Sequence, residues 1–124
     1  MKNVYLVVNK WATEDASDTS ITVFEKYEDA REEMQKQIKQ EINENMSQAF
    51  ENDEPVDGYC VEEGIDYWEC WEDGYYSSNF VNISIEKKEV LWLRIYYKKQ
   101  YIKVNFEQIM IILKTNIALT IQTD

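Results

Sequence analysis

Ala30, Met34, Ile38, Ile42, Met46 and Phe50 follow one another at four-residue intervals, with Tyr27 and Ala49 widening the stripe. This spacing predicts a long amphipathic helix over about 27–51. Glu28, Asp29, Glu32 and Glu33 crowd its start, where carboxylates meet the positive end of the helix dipole, and Asn52 to Gly58 with Pro55 reads as its stop. Ahead of it, Val4 to Asn9 is a β-rich apolar run suited to a strand covered on both faces, and Ser20 to Glu25 is a second short run. The small polar segment Glu14 to Ser20 between them predicts an antiparallel hairpin.

After the helix, acids and aromatics mix irregularly from Tyr59 to Phe80, which reads as one strand and a long loop. Val81 to Glu86 alternates cleanly, as a strand with one wet face does, and Lys87-Lys88-Glu89 reads as the turn that follows. Val90 to Tyr97 places Leu91, Leu93, Ile95 and Tyr97 on one face and Trp92, Arg94 and Tyr96 on the other. A hairpin through Lys98-Lys99-Gln100 returns Ile102, Val104 and Phe106 inward, with Tyr101 and Lys103 outward. Asn105 with Gln108 resembles a capping box and predicts a short second helix over about 106–115, and Ile117 to Ile121 reads as a last strand. The expected fold is α+β, a single domain over 1–124, with an antiparallel sheet packed against one long helix.

Composition narrows the chemistry. A chain of 124 residues supports one core, and 44% apolar with 14% aromatic residues offsets the ordering entropy despite a net charge of −11. The absence of histidine removes the usual neutral-pH base, the imidazole metal ligand and every Ser-His or Cys-His nucleophile pair. Paired carboxylates such as Glu32-Glu33 and Glu62-Glu63 are too numerous to mark a glycosidase or magnesium site. With only three glycines there is no P-loop, GxGxxG or GxSxG, so neither an enzyme nor a cofactor or metal site is expected. The N-terminal apolar run is too short for a signal peptide, and no segment approaches a membrane span, which makes a cytoplasmic protein the expectation. Cys60 and Cys70 are not spaced as CxxC, and in a reducing compartment they are expected as free thiols.

Charge is distributed unevenly. Residues 14–73 hold twenty of the twenty-four acids against four bases, while both flanks are mildly basic. Direct binding to nucleic acid or an anionic membrane is therefore not expected. Glu62, Glu63, Asp66, Glu69, Glu72 and Asp73, interleaved with Tyr67, Trp68, Trp71, Tyr75 and Tyr76, form the first candidate surface. Acids steer a basic partner and aromatics anchor it, in the manner of a nucleic-acid mimic, whereas the bland reading is a solvated, solubilising span. Trp92, Arg94, Tyr96, Tyr101 and Lys103 form the second, a ring-and-cation strip suited to stacking a small nucleotide. The same strip also suits burial under the helix or in a homodimer that is structural or regulatory.

The run Ile21-Thr22-Val23-Phe24, then Tyr27-Glu28-Asp29-Ala30 opening the helix, then Trp71-Glu72-Asp73-Gly74-Tyr75-Tyr76 and Val81-Asn82-Ile83-Ser84-Ile85, resembles the small acidic proteins of Firmicutes phages and mobile elements over residues 4–90. Anti-CRISPR and other anti-defence inhibitors are the functionally described members of that group. The resemblance implies a non-enzymatic inhibitor whose partner is a host nuclease or other protein with a basic nucleic-acid-binding surface. It is one of size, charge and style, so no individual residue role is carried over, and the acid-poor tail after Val90 departs from it.

Overall fold

The computed structural model describes residues 2–74, 79–90, 92–97, 100–105 and 120–122. It is an α+β fold whose main sheet is antiparallel and five-stranded, in the order β2-β1-β7-β6-β5. Its strands are β1 (Lys2–Ala12), β2 (Ser17–Phe24), β5 (Tyr59–Glu63), β6 (Tyr67–Glu72) and β7 (Phe80–Val90). Between β2 and β5 the chain forms helix α1 (Tyr27–Gln40), a turn of π-helix (Glu41–Asn45), a turn of 3-10 helix (Ser47–Ala49) and the two-residue strands β3 (Phe50–Glu51) and β4 (Glu54–Pro55). A three-stranded sheet, β8 (Trp92–Tyr97), β9 (Gln100–Asn105) and β10 (Thr120–Gln122), has the order β10-β8-β9. The expected second helix at 106–115 lies outside the described residues.

The expected helix over 27–51 ends as α-helix at Gln40. Each four-residue step overshoots a helical turn by about 40°, so a straight α-helix cannot hold positions 30 to 50 on one face. The wider π turn takes up the drift, closed by a five-residue bond from the Met46 N–H to the Glu41 carbonyl at 2.7 Å. Met46 and Ala49 are thereby buried together with Ala30 and Met34. Asn52 and Asp53, read as a helix stop, are instead the two left-handed residues of a tight hairpin that pairs Phe50 with Pro55 and Glu51 with Glu54.

The edges of the strands also differ from the sequence reading. Lys87, Lys88 and Glu89 do not turn but continue β7, in register with Tyr5, Val4 and Asn3. Pairing along the whole length of β1 outweighs their weak local preference for strand. Tyr59 to Phe80 is not one strand and a loop but the hairpin β5–β6 leading into β7, with Val61 opposite Cys70 and Glu62 opposite Glu69.

One buried cluster joins Ala30, Met34, Met46 and Ala49 with Val7, Trp68, Cys70, Val81 and Ile83 of the sheet. Phe50 stacks on Trp68 with ring centres 6.2 Å apart and planes 25° from parallel. On the other face of the sheet Val4, Leu6, Val8, Ala12 and Val23 are also buried, and β10 approaches β2. That face therefore divides into an apolar half on β1 and β2 and a polar half toward β5 and β6. Met34→Ala, at a fully buried position, is expected to cost about 2–5 kcal/mol in urea unfolding, whereas Ile65→Ala at an exposed hairpin tip should leave stability within about 0.5 kcal/mol.

Candidate functional site

The β5–β6 hairpin distributes the acidic candidates over two faces. Register places Glu62 opposite Glu69 and Cys60 opposite Trp71, on the polar half of the sheet, with the half-exposed Tyr67 beside them. Like charges directly opposite one another destabilise a strand pair, so this arrangement is held by the rest of the fold. The Tyr67 hydroxyl donates to Glu62 Oε1 at 3.4 Å. Glu63 and Trp68 are register partners on the other face, as are Tyr59 and Glu72. Trp68, expected as a partner-facing anchor, is only 2% exposed and belongs to the core. Its alternation with Cys70 against Val81 and Ile83 was the signal for that, masked by the acids between them. Glu72 accepts from Asn79 Nδ2 at 2.7 Å, and the Asp73 N–H closes the hairpin base onto the Gly58 carbonyl at 2.7 Å.

The tip of the hairpin, Gly64-Ile65-Asp66, is tied from three sides. Within the hairpin the Gly64 N–H donates to the Tyr67 carbonyl at 2.9 Å, and from β7 the Ile85 N–H donates to the Asp66 carbonyl at 2.8 Å. From α1, the Tyr27 hydroxyl donates to Asp66 Oδ1 and the Arg31 guanidinium to the Ile65 carbonyl. The bond to Asp66 raises the Tyr27 hydroxyl above its ordinary pKa, with desolvation and the Asp66 charge adding to it. A Cβ on Gly64 would meet the Tyr67 ring where it now stands, so a larger residue there would displace that ring. Held this way, Ile65 projects with 77% of its surface exposed between Glu63 and Asp66. No sequence signal singled it out.

The second candidate strip falls in β8 and β9, where Arg94 is the register partner of Lys103, Tyr96 of Tyr101 and Trp92 of Asn105. Tyr75, Tyr76, Lys98 and Lys99 lie outside the described residues.

A separate polar centre lies at the far end of α1, which sequence reading did not identify. Glu41, at the first position of the π turn, is 6% exposed and accepts from Asn45 Nδ2 at 3.1 Å. Burial pushes its carboxyl above the ordinary range, against the opposing effect of hydrogen bonds with Asn45 and Asn9. Asn9 of β1, 9% exposed, donates from Nδ2 to Gln37 Oε1 at 3.1 Å, and Gln37 in turn donates to Glu33. These side chains wall a cavity of about 580 Å³ between α1, the π turn and the ends of β1 and β7.

Both cysteines are free, and their register partners put them on opposite faces of the hairpin. Burial, reinforced by Cys60 and Glu41, pushes the Cys70 thiol up to about 11. Among the described residues no group of three side chains is placed to hold a metal ion, and no helix is long and apolar enough to cross a membrane. Comparison of the chain with protein-family models, with curated proteins and with solved structures returns no match.

Two outcomes follow from these ionisations. Because its folded-state pKa is raised, Glu41 favours folding at low pH and loses that contribution as pH rises through the folded value. Glu41→Gln should therefore be more stable than the parent at neutral pH, with the gap closing below about pH 4 in urea unfolding followed across pH. A gap independent of pH would exclude this account. In thiol titration with a disulfide reagent at about pH 8, Cys60 should react first and Cys70 only when the chain opens, so Cys60→Ser should remove the fast phase alone.

Proposed function

We propose that this chain is a non-enzymatic cytoplasmic protein that binds a basic, nucleic-acid-binding surface on a partner protein through the β5–β6 hairpin and thereby blocks that surface. The observation that carries this reading is the hairpin tip, where four hydrogen bonds hold Ile65 at 77% exposure between acids. A preorganised apolar anchor adds affinity because little ordering entropy remains to be lost on binding. Glu62, Glu63 and Glu69 give the hairpin negative charge, and Tyr67 and Trp71 lie on the same face as Glu62 and Glu69. Acids of this kind raise the association rate with a cationic groove and disfavour acidic competitors. The net charge of −11 extends the attraction beyond the contact itself.

The test is capture from a bacterial lysate on the immobilised chain, at low and high salt, with the retained proteins identified by mass spectrometry. The expected result is a salt-sensitive nucleic-acid-binding protein. Joint reversal of Glu62, Glu63 and Glu69 to lysine should slow its association about tenfold or more at low salt and flatten the salt dependence. Ile65→Ala should instead speed dissociation. Identical capture by the parent and both variants would sink the reading.

A further inference from the structure

The geometry points to a second binding site, independent of the hairpin: the cavity beside the π turn, lined by Glu41, Asn9 and Trp11, takes a small organic cation, an alkylammonium or guanidinium compound. At about 580 Å³ it lies within the size range of small-molecule sites. Its described walls carry Glu33, Glu41 and several side-chain amides, and no lysine or arginine is among them. Two observations say what is missing. Glu41 is buried with only amide partners described, although a buried carboxylate is stabilised when a cation accompanies it. Asn9 lines the cavity, is nine-tenths buried, and has a carbonyl oxygen with no hydrogen-bond partner, while its Nδ2 is fixed by Gln37. A buried acceptor left unpaired costs free energy, and a ligand N–H would satisfy it once a small turn of the Asn9 side chain opens Oδ1 to the cavity.

The ligand that completes this site is therefore rich in donors and positively charged. Trp11 stands on the wall, 36% exposed, where an indole face attracts a cation or covers its methylene stem. A phosphate or nucleotide would meet carboxylates, and no group of three His, Cys, Asp or Glu side chains among the described residues is placed to hold a metal ion. Glu41 follows Met34 by about two α-helical turns and so falls on the same buried face, and the π turn that begins there leaves Asn45 able to hold its carboxyl.

The probes are agmatine and putrescine, titrated calorimetrically into the full chain at neutral pH and physiological salt, which screens loose condensation of cations on an acidic protein. One molecule is expected to bind per chain. Glu41→Gln should weaken binding about tenfold or more, the loss of one charge-assisted hydrogen bond. Trp11→Ala should weaken it as well, and circular dichroism of each variant confirms the fold. Glu62→Gln with Glu63→Gln removes more charge at the distant hairpin and should leave affinity unchanged. An arginine capped at both termini, binding more tightly than agmatine, would assign the same pocket to a partner's side chain, and weaker binding would assign it to a free amine. No heat with any of these cations up to millimolar concentration, or equal loss on the hairpin variant and Glu41→Gln, would overturn the site.

Discussion

A four-residue apolar repeat placed on a helix that turns every 3.6 residues rotates steadily off the core, and the turn of π-helix at Glu41–Asn45 is where that rotation is absorbed. Much of the molecule depends on this adjustment. It lets Met46 and Ala49 join the cluster built from Ala30, Met34 and the sheet, and it delivers Phe50 to the face of Trp68. The Phe50–Trp68 stack in turn ties the chain after the helix to β6, the strand that carries half of the acidic hairpin. Glu41 follows Met34 by about two turns, so the α-helix itself carries it to the buried face and the π turn begins on a carboxylate already directed inward.

The sheet sets the second division of the molecule. β1, paired with β2 and β7, is apolar on both sides, with Val7 in the helix-side cluster and Val4, Leu6 and Val8 buried behind it. Toward β5 the same outer face turns polar, with Glu62, Glu69 and Tyr67 in place of aliphatic side chains. β5 is also the edge of the sheet, and charge on an edge strand discourages further strand pairing. That protection needs acids on the edge strand itself. It does not need Glu69 on β6 directly opposite Glu62, nor an isoleucine pinned outward at the tip.

The fold was legible where period and burial agree. β1, β2 and the first three turns of α1 stand out because their apolar positions repeat at intervals close to those of the element they form. The end of α1 was not, since a period of four looks helical over any short window and its drift becomes decisive only over its whole length. β6 was hidden for a different reason. Trp68 and Cys70 point inward, Tyr67, Glu69 and Trp71 do not, and hydrophobicity alone cannot sort tyrosine and tryptophan between two faces. Of the candidate site, the acidic character of Glu62, Glu63 and Glu69 could be read from spacing and charge. The fixed, exposed position of Ile65 could not, because it arises from bonds made by Tyr27, Arg31 and Ile85, distant in sequence. The cavity was equally invisible, being assembled from Asn9 on one strand and Glu41 on a helix turn whose geometry the sequence pattern did not declare.

Solubility explains a high acid content but says nothing about where the acids sit. Most of the acids here are exposed, where each contributes to repulsion between molecules and little else. Two arrangements are of another kind. Glu62 faces Glu69 across a strand pair, and Glu41 is enclosed with its pKa raised by burial. The second opposes folding at neutral pH through desolvation. A chain selected only to stay dispersed gains nothing from either position, since an acid moved to an exposed site would serve equally well. In the cavity, the proposed ammonium or guanidinium group would relieve that cost, and at the hairpin the proposed partner is the basic surface of a macromolecule. The two lie at opposite ends of α1, so the proposed occupancy of one leaves the other open.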